Sequence, residues 1–175
     1  MKQKSIYILF ILISFSALSQ KSLDEVLRKH NKNDVSYISA AELHVLLPSS
    51  RIGTQDSRDI VILDSREKRE FDVSHIPTAS HVGFKDFSKE NISEIIENKD
   101  TAIVVYCTLG IRSQKIAAKL QKAGYTNIKN LYGGICEWKN NDYSVFDANN
   151  IETDKVHTYS KQWSKWLENG TVVYD

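Results

Sequence analysis

Three stretches of the 175-residue sequence predict an α/β fold with a mostly parallel sheet. Ile60-Val61-Ile62-Leu63 and Ala102-Ile103-Val104-Val105-Tyr106 are unbroken apolar, largely β-branched runs, the pattern of strands buried on both faces. Between the second run and a shorter third at Asn127 to Leu131 lies Ser113 to Ala123. There Ile116, Ala117 and Leu120 recur at helical spacing, and Gly124 is placed to stop the helix. Buried strand, tight connection, helix and buried strand make a βαβ unit, which implies helices on both faces of the sheet.

The remaining elements follow in chain order. Lys2 and Lys4 precede an apolar stretch from Ile6 to Leu18, and Ala17-Leu18-Ser19 supplies small residues for cleavage. Residues 1–19 therefore read as an export signal cut before Gln20, which places the mature chain in the periplasm or outside the cell. The apolar stretch is shorter than the ~20 residues that span a bilayer, so no stable membrane insertion is expected after cleavage. Residues 20–34 form a leader with a weak helical pattern at Leu23, Val26 and Leu27. The main domain is assigned to residues 35–147. Val35 to Ile38 alternates like a short strand, and Ser39 with Glu42 forms a capping box for a helix from Ala40 to Leu47, ended by Pro48. Ser49 to Asp59 reads as an exposed loop. Residues 148–175 form an extension in which Val156, Tyr159, Trp163, Trp166 and Leu167 fall on one stripe of a predicted helix. That stripe is expected to dock on the domain; a face for a protein partner is the alternative. Thr171 to Tyr174 suits an edge strand.

Composition narrows the function. An apolar content of 41% and a charged content of 26% fit a globular domain and exclude a disordered chain. The net charge of +1 comes without a basic run, so no nucleic-acid partner is expected. Two cysteines, Cys107 and Cys136, are too few for a disulfide scaffold.

The segment from Cys107 through Thr108, Leu109, Gly110, Ile111 and Arg112 to Ser113 begins where a buried strand ends and finishes where a helix starts. Ligands of open parallel sheets bind beyond such strand ends. The first amides of the helix have no internal partner and carry the positive end of its dipole. A sulfur at Cys107 would sit among those donors, conditions that lower a thiol pKa. Gly110 permits positive φ, and Arg112 brings a fixed charge suited to an oxyanion.

Several motifs here resemble the rhodanese family, in the family's order. Leu63-Asp64-Ser65-Arg66-Glu67 is similar to its D-x-R-E segment, and Glu70-Phe71 with Ser74-His75-Ile76-Pro77-Thr78-Ala79 to its E-[FY]…G-H-I-P-G-A segment. Cys107 to Arg112 matches the C-x-x-G-x-R loop, and Leu131-Tyr132-Gly133-Gly134-Ile135 with Trp138 resembles L-x-G-G-…-W. Ser74 and Thr78 stand where glycines are usual. The resemblance implies a three-layer fold around a five-stranded parallel sheet, and a sulfurtransferase that needs neither metal nor organic cofactor. Cys107 would accept sulfane sulfur from a small anion such as thiosulfate or a persulfide and pass it to a thiol or cyanide. Arg112 would hold the departing anion, and the amides of Thr108 to Ser113 the persulfide.

Other residues carry expectations of their own. Asp64 is expected to be a structural acceptor, with His75, itself a turn residue, as its candidate donor. Arg66 either adds to the anion-attracting field at the site or pairs with Glu70. Gly133 and Gly134 allow backbone to approach the loop, and Trp138 is core. Cys136 is a buried filler, a resolving thiol or a disulfide partner of Cys107. Two rival functions stand beside the sulfurtransferase. One is a sulfur carrier or binding module without turnover. The other is a cysteine phosphatase, disfavoured because only four residues separate Cys107 from Arg112 and Tyr106 replaces the histidine that precedes a tyrosine phosphatase cysteine.

Overall fold

Strands that present apolar side chains on both faces need cover on both, and that requirement places them at the middle of the sheet. The structure, a computed structural model, describes residues 23–31, 35–47 and 60–175. The expected export signal, the helix-ending Pro48 and the loop from Ser49 to Asp59 lie outside the described residues. Residues 23–30 form a helix, α1.

The sheet contains β1 (Tyr37–Ile38), β2 (Ile60–Asp64), β3 (Ser80–His81), β4 (Ala102–Tyr106) and β5 (Ile128–Leu131). Their order is β1-β5-β4-β2-β3, and every pairing is parallel. The two longest apolar runs of the sequence, β2 and β4, are neighbours inside it. On β4, Ile103 and Val105 point to one face and Val104 and Tyr106 to the other, all of them buried.

Helices α4 (Lys89–Ile95) and α5 (Ile111–Lys122) cover the first face, where Ile92, Ile116, Leu120 and Tyr125 pack with Leu63, Ile103 and Val105. On the opposite side, α2 (Ala40–Leu46) packs against α6 (Gly134–Asn140). The capping box of α2 is present: Glu42 donates its amide to Ser39 Oγ, and its carboxylate accepts the Ser39 amide at 2.9 Å. A short helix, α3 (Lys68–Val73), follows β2. Among the described residues, no helix is long and apolar enough to cross a membrane.

The extension departs from its predicted helix. After β6 (Val145–Phe146) and β7 (Glu152–Thr153), an antiparallel pair, residues Lys155–His157 form β8, which runs parallel to β9 (Thr171–Val173). Between them only Ser164–Trp166 makes a single 3₁₀ turn. The helical spacing of the apolar residues was coincidental. Val156 and Thr158 are β-branched, and the local backbone finds strand and side-chain partners that compete with a helix. Thr158 donates its amide to the Val173 carbonyl at 2.7 Å, and Tyr159 donates its amide to His157 Nδ1 at 3.0 Å. Val156, Trp166 and Leu167 are nevertheless buried, so part of the apolar stripe does dock. Tyr159 and Trp163 point elsewhere.

Candidate active site

The chain leaves β4 at Tyr106 and enters α5 at Ile111, and the four intervening residues form the loop read from the sequence. Gly110 adopts φ 103°, a left-handed conformation available at low cost to glycine, and serves as N-cap of α5. That bend aims its amide back at the cysteine, and Gly110 N–H donates to Cys107 Sγ at 3.1 Å. Ser113 Oγ lies 3.5 Å from the same sulfur. The Ser113 hydroxyl has one proton and a closer acceptor, Asn130 Oδ1 at 2.7 Å. Asn130, on β5, in turn donates to the Gly110 carbonyl at 2.7 Å and to Gln114 Oε1 at 2.8 Å. A single buried amide thus fixes both groups that face the sulfur.

Burial pushes the Cys107 thiol up. The Arg112 charge, the Ser113 hydroxyl and amide and the Gly110 amide outweigh it, and the thiol ends below its ordinary value. Cys107 is only 2% exposed, yet it lines a pocket of about 260 Å³ together with Thr108, Leu109, Ile111 and Arg112. The sulfur is sheltered but reachable.

The loop's carbonyls are held away from the sulfur by α6. Ile135 N–H donates to the Cys107 carbonyl at 3.0 Å and Cys136 N–H to the Thr108 carbonyl at 3.3 Å. This approach explains the second glycine of the pair; at Gly133, with φ 67°, a Cβ would instead meet the Glu137 side chain at 2.3 Å. A Cβ on Gly134 would stand 2.3 Å from the Cys107 carbonyl oxygen, and its φ of 57° disfavours any side chain. Cys136 is buried and free, as is Cys107. Burial pushes its thiol up to about 12, so it is neutral at physiological pH.

Arg112 is organised differently from expectation. Both of its terminal nitrogens are taken by Glu70, each at 2.6 Å, and Nη2 also donates to Thr108 Oγ1 at 2.9 Å. Glu70 sits on α3 and is fully buried. Burial pushes its carboxyl up, but the Arg112 fork and charge pull it below the usual range. Arg112 therefore clamps the loop to α3 and supplies field to the sulfur, with three of its five N–H donors engaged in that clamp while it lines the pocket. The sequence offers Glu70 only as a partner for Arg66; nothing in its spacing shows that its partner lies 42 residues on.

Arg66 does not reach the pocket. It is fully buried and forms a fork with Asp64, with Nη2 to Oδ2 at 2.6 Å, and it donates to the Ser74 carbonyl at 2.6 Å. The expected pair with Glu70 is not formed, because Asp64 takes Arg66 and Arg112 takes Glu70, but the Arg66 charge still acts on the site, pulling the Glu70 carboxyl and the Cys136 thiol down. Asp64 is a structural acceptor, for Arg66 rather than His75. The His75 ring stacks on Phe71 at 4.1 Å and donates from Nδ1 to the Phe71 carbonyl at 3.2 Å.

The rim of the pocket adds residues the sequence reading did not select: Phe84, Lys85 and Lys115, with Tyr159 and Trp163 from the extension. Only the last two had a signal, their aromatic character on an assumed helix.

A profile of the rhodanese-like domain matches residues 50–141, more than half of the chain. The chain belongs to the rhodanese-like domain family. Within this family, it is 31% identical over 112 residues to a tRNA uridine(34) hydroxylase of Enterobacter sp. (strain 638), an alignment covering 62% of this chain and 30% of that protein. The chain spans under a third of the length of the curated relatives it matches. The thiosulfate sulfurtransferase from Pseudomonas aeruginosa shares the rhodanese-like fold with a TM-score of 0.56 at 20% identity, over 76% of this chain and 23% of that one. A rhodanese-like domain from Anabaena sp. gives 0.54 at 21%, over 63% and 78%.

Proposed function

We propose that this rhodanese-like domain is a sulfurtransferase that carries sulfane sulfur on Cys107 as a persulfide. The observation that supports it most is a thiol at a pocket floor, 3.1 Å from an amide donor and lowered in pKa. In the first step the Cys107 thiolate attacks the outer sulfur of a donor such as thiosulfate. The new S–S bond forms as the donor's S–S bond breaks, and the electron pair leaves with sulfite. Preorganised amides at the mouth of α5 stabilise the persulfide anion. A thiol or cyanide then attacks the terminal sulfur and regenerates Cys107, a two-step cycle with ping-pong kinetics. Arg112 holds the loop and its field, and Lys85 and Lys115 at the rim attract the anion.

The four-residue gap between Cys107 and Arg112 leaves a loop sized for a sulfur atom rather than a phosphate, which supports sulfur transfer over phosphatase chemistry. The activity named for the hydroxylase relatives belongs to much longer chains, and the near-neutral charge of this one favours a small substrate over tRNA. Peptide mass spectrometry after thiosulfate treatment tests the reading. The peptide containing Cys107 gains one sulfur atom, and an unmodified peptide at saturating donor would overturn the proposal. We also propose export on the pattern of residues 1–19. Sequencing the mature N-terminus should then give Gln20 first, and an intact Met1 would reject it.

A further inference from the structure

Two aromatic side chains from beyond the matched domain complete the pocket over Cys107. Tyr159 and Trp163 stand with Phe84 around its mouth, although the family profile ends at residue 141. The backbone around Tyr159 is braced: His157 Nδ1 accepts its amide, the Val173 carbonyl accepts that of Thr158, and the Thr158 carbonyl accepts that of Ser160 at 2.9 Å. Tyr159 holds φ 69°, a strained conformation for an aromatic residue that persists only where surroundings impose it. Its ring lies 4.8 Å from the Arg112 guanidinium, yet the residue remains 44% exposed. The segment is also tied to α6. Asn140 donates to the Trp166 carbonyl at 2.9 Å and accepts the Glu168 amide at 2.8 Å, and Lys139 pairs with Asp154 at 2.8 Å. The aromatic wall is a built part of the site.

The size of the pocket bears on its ligand. A volume of about 260 Å³ approaches the ~300 Å³ at which organic ligands are commonly held, and a small inorganic anion would fill only a corner. Its walls are mostly apolar, and of its charged lining residues Lys85, Arg112 and Lys115 are cations against the single carboxylate of Glu67. Such a site matches an anion joined to an apolar body.

We propose that Tyr159 and Trp163 select an organic sulfane-sulfur anion, a thiosulfonate or organic persulfide with an apolar body, over inorganic thiosulfate as the sulfur donor. The proposal rests on the sulfurtransferase reading of Cys107. With a thiosulfonate R–SO₂–S⁻, the Cys107 thiolate attacks the terminal sulfur and an Sγ–S bond forms. The donor's S–S bond breaks, the sulfinate leaves with the electron pair, and the transferred sulfur keeps its negative charge. Neither oxidant, reductant nor proton is consumed.

The test compares sulfur loading of the full chain by benzenethiosulfonate, methanethiosulfonate and thiosulfate, read as kcat/KM by intact mass. The natural sequence should prefer benzenethiosulfonate over each of the other two by about tenfold or more, the discrimination an apolar wall can supply. Tyr159→Ala and Trp163→Ala should each lower the benzene-to-methane ratio several-fold, and Trp163→Phe should restore most of it. Equal rates for all three donors, or an unchanged ratio in both alanine variants, would overturn the selectivity while leaving sulfur transfer standing. Failure of every donor to modify Cys107 would instead reject the sulfurtransferase reading itself.

Discussion

At the scale of single residues, the site depends on how few groups set the charge on one sulfur. Arg112 and the Gly110 and Ser113 donors favour the thiolate against the opposing effect of burial. Removing the charge therefore raises the thiol pKa. In Arg112→Gln the pH midpoint of Cys107 alkylation by iodoacetamide should move upward, and an unchanged midpoint would show that the amides alone suffice. Glu70 is coupled to the same pair. Its carboxyl sits below the ordinary ~4.3 in the folded protein, so its contribution to stability is fully present above that pH and is lost as pH falls through the lower folded value. Glu70→Gln should flatten the acid limb of a stability-versus-pH curve. It should also destabilise the fold at neutral pH by up to about 3–5 kcal/mol, less whatever water recovers at Arg112, which is 17% exposed. Asn130 satisfies Ser113 Oγ and the Gly110 carbonyl together. Asn130→Leu removes the side-chain partner that both share, at about 1–3 kcal/mol in a urea titration, and should slow sulfur loading more than Gln114→Leu does.

Between elements, the distance from α6 to the β4–α5 loop is the quantity that matters. Two amides of α6 hold the loop carbonyls, and that approach leaves no room for a Cβ on Gly134. Gly134→Ala should cost about 2–4 kcal/mol from overpacking plus positive φ, and should abolish loading because the loop must shift. Gly124, which ends α5 at φ 94° with open space around its would-be Cβ, is the control. There alanine should cost only about 1–2 kcal/mol, with loading retained. A similar cost at both positions would refute the steric account. The same contrast shows how much was legible beforehand. Gly110 and Gly124 were readable from their place beside a helical pattern, and the double glycine as a close approach, which Gly134 makes and Gly133 does not. That the approached backbone is the loop of Cys107 is a fact of β4 lying beside β5.

On the scale of the whole molecule, the extension joins stability to the site. Val156, Trp166 and Leu167 are buried, and Arg69 pairs with Asp175. Truncation after Asp147 should lower stability by on the order of 5 kcal/mol, taking about 1.5–3 kcal/mol for each large apolar side chain uncovered. Thermal unfolding of the truncated and full chains checks this; equal midpoints would mean that the extension is a passenger. The stripe of apolar residues predicted a docked segment, and a docked segment is present in part. Its secondary structure was misread, because five residues at helical spacing cannot report that β8 has a partner strand at β9, fifteen residues or more away.

What the sequence determined by itself was everything written in local periodicity and covalent spacing. It carried the α/β class, the parallel sheet around β2 and β4, the capped α2, the glycine-bent loop and the identity of Cys107 as its thiol. Pairing between distant charges was left to the tertiary structure. Glu70 closes on Arg112 across 42 residues, and an aromatic wall arrives from the extension. The physical reason is that backbone geometry fixes which way neighbouring side chains point. Which charge meets which across the fold is decided only when burial forces every one of them to find a partner.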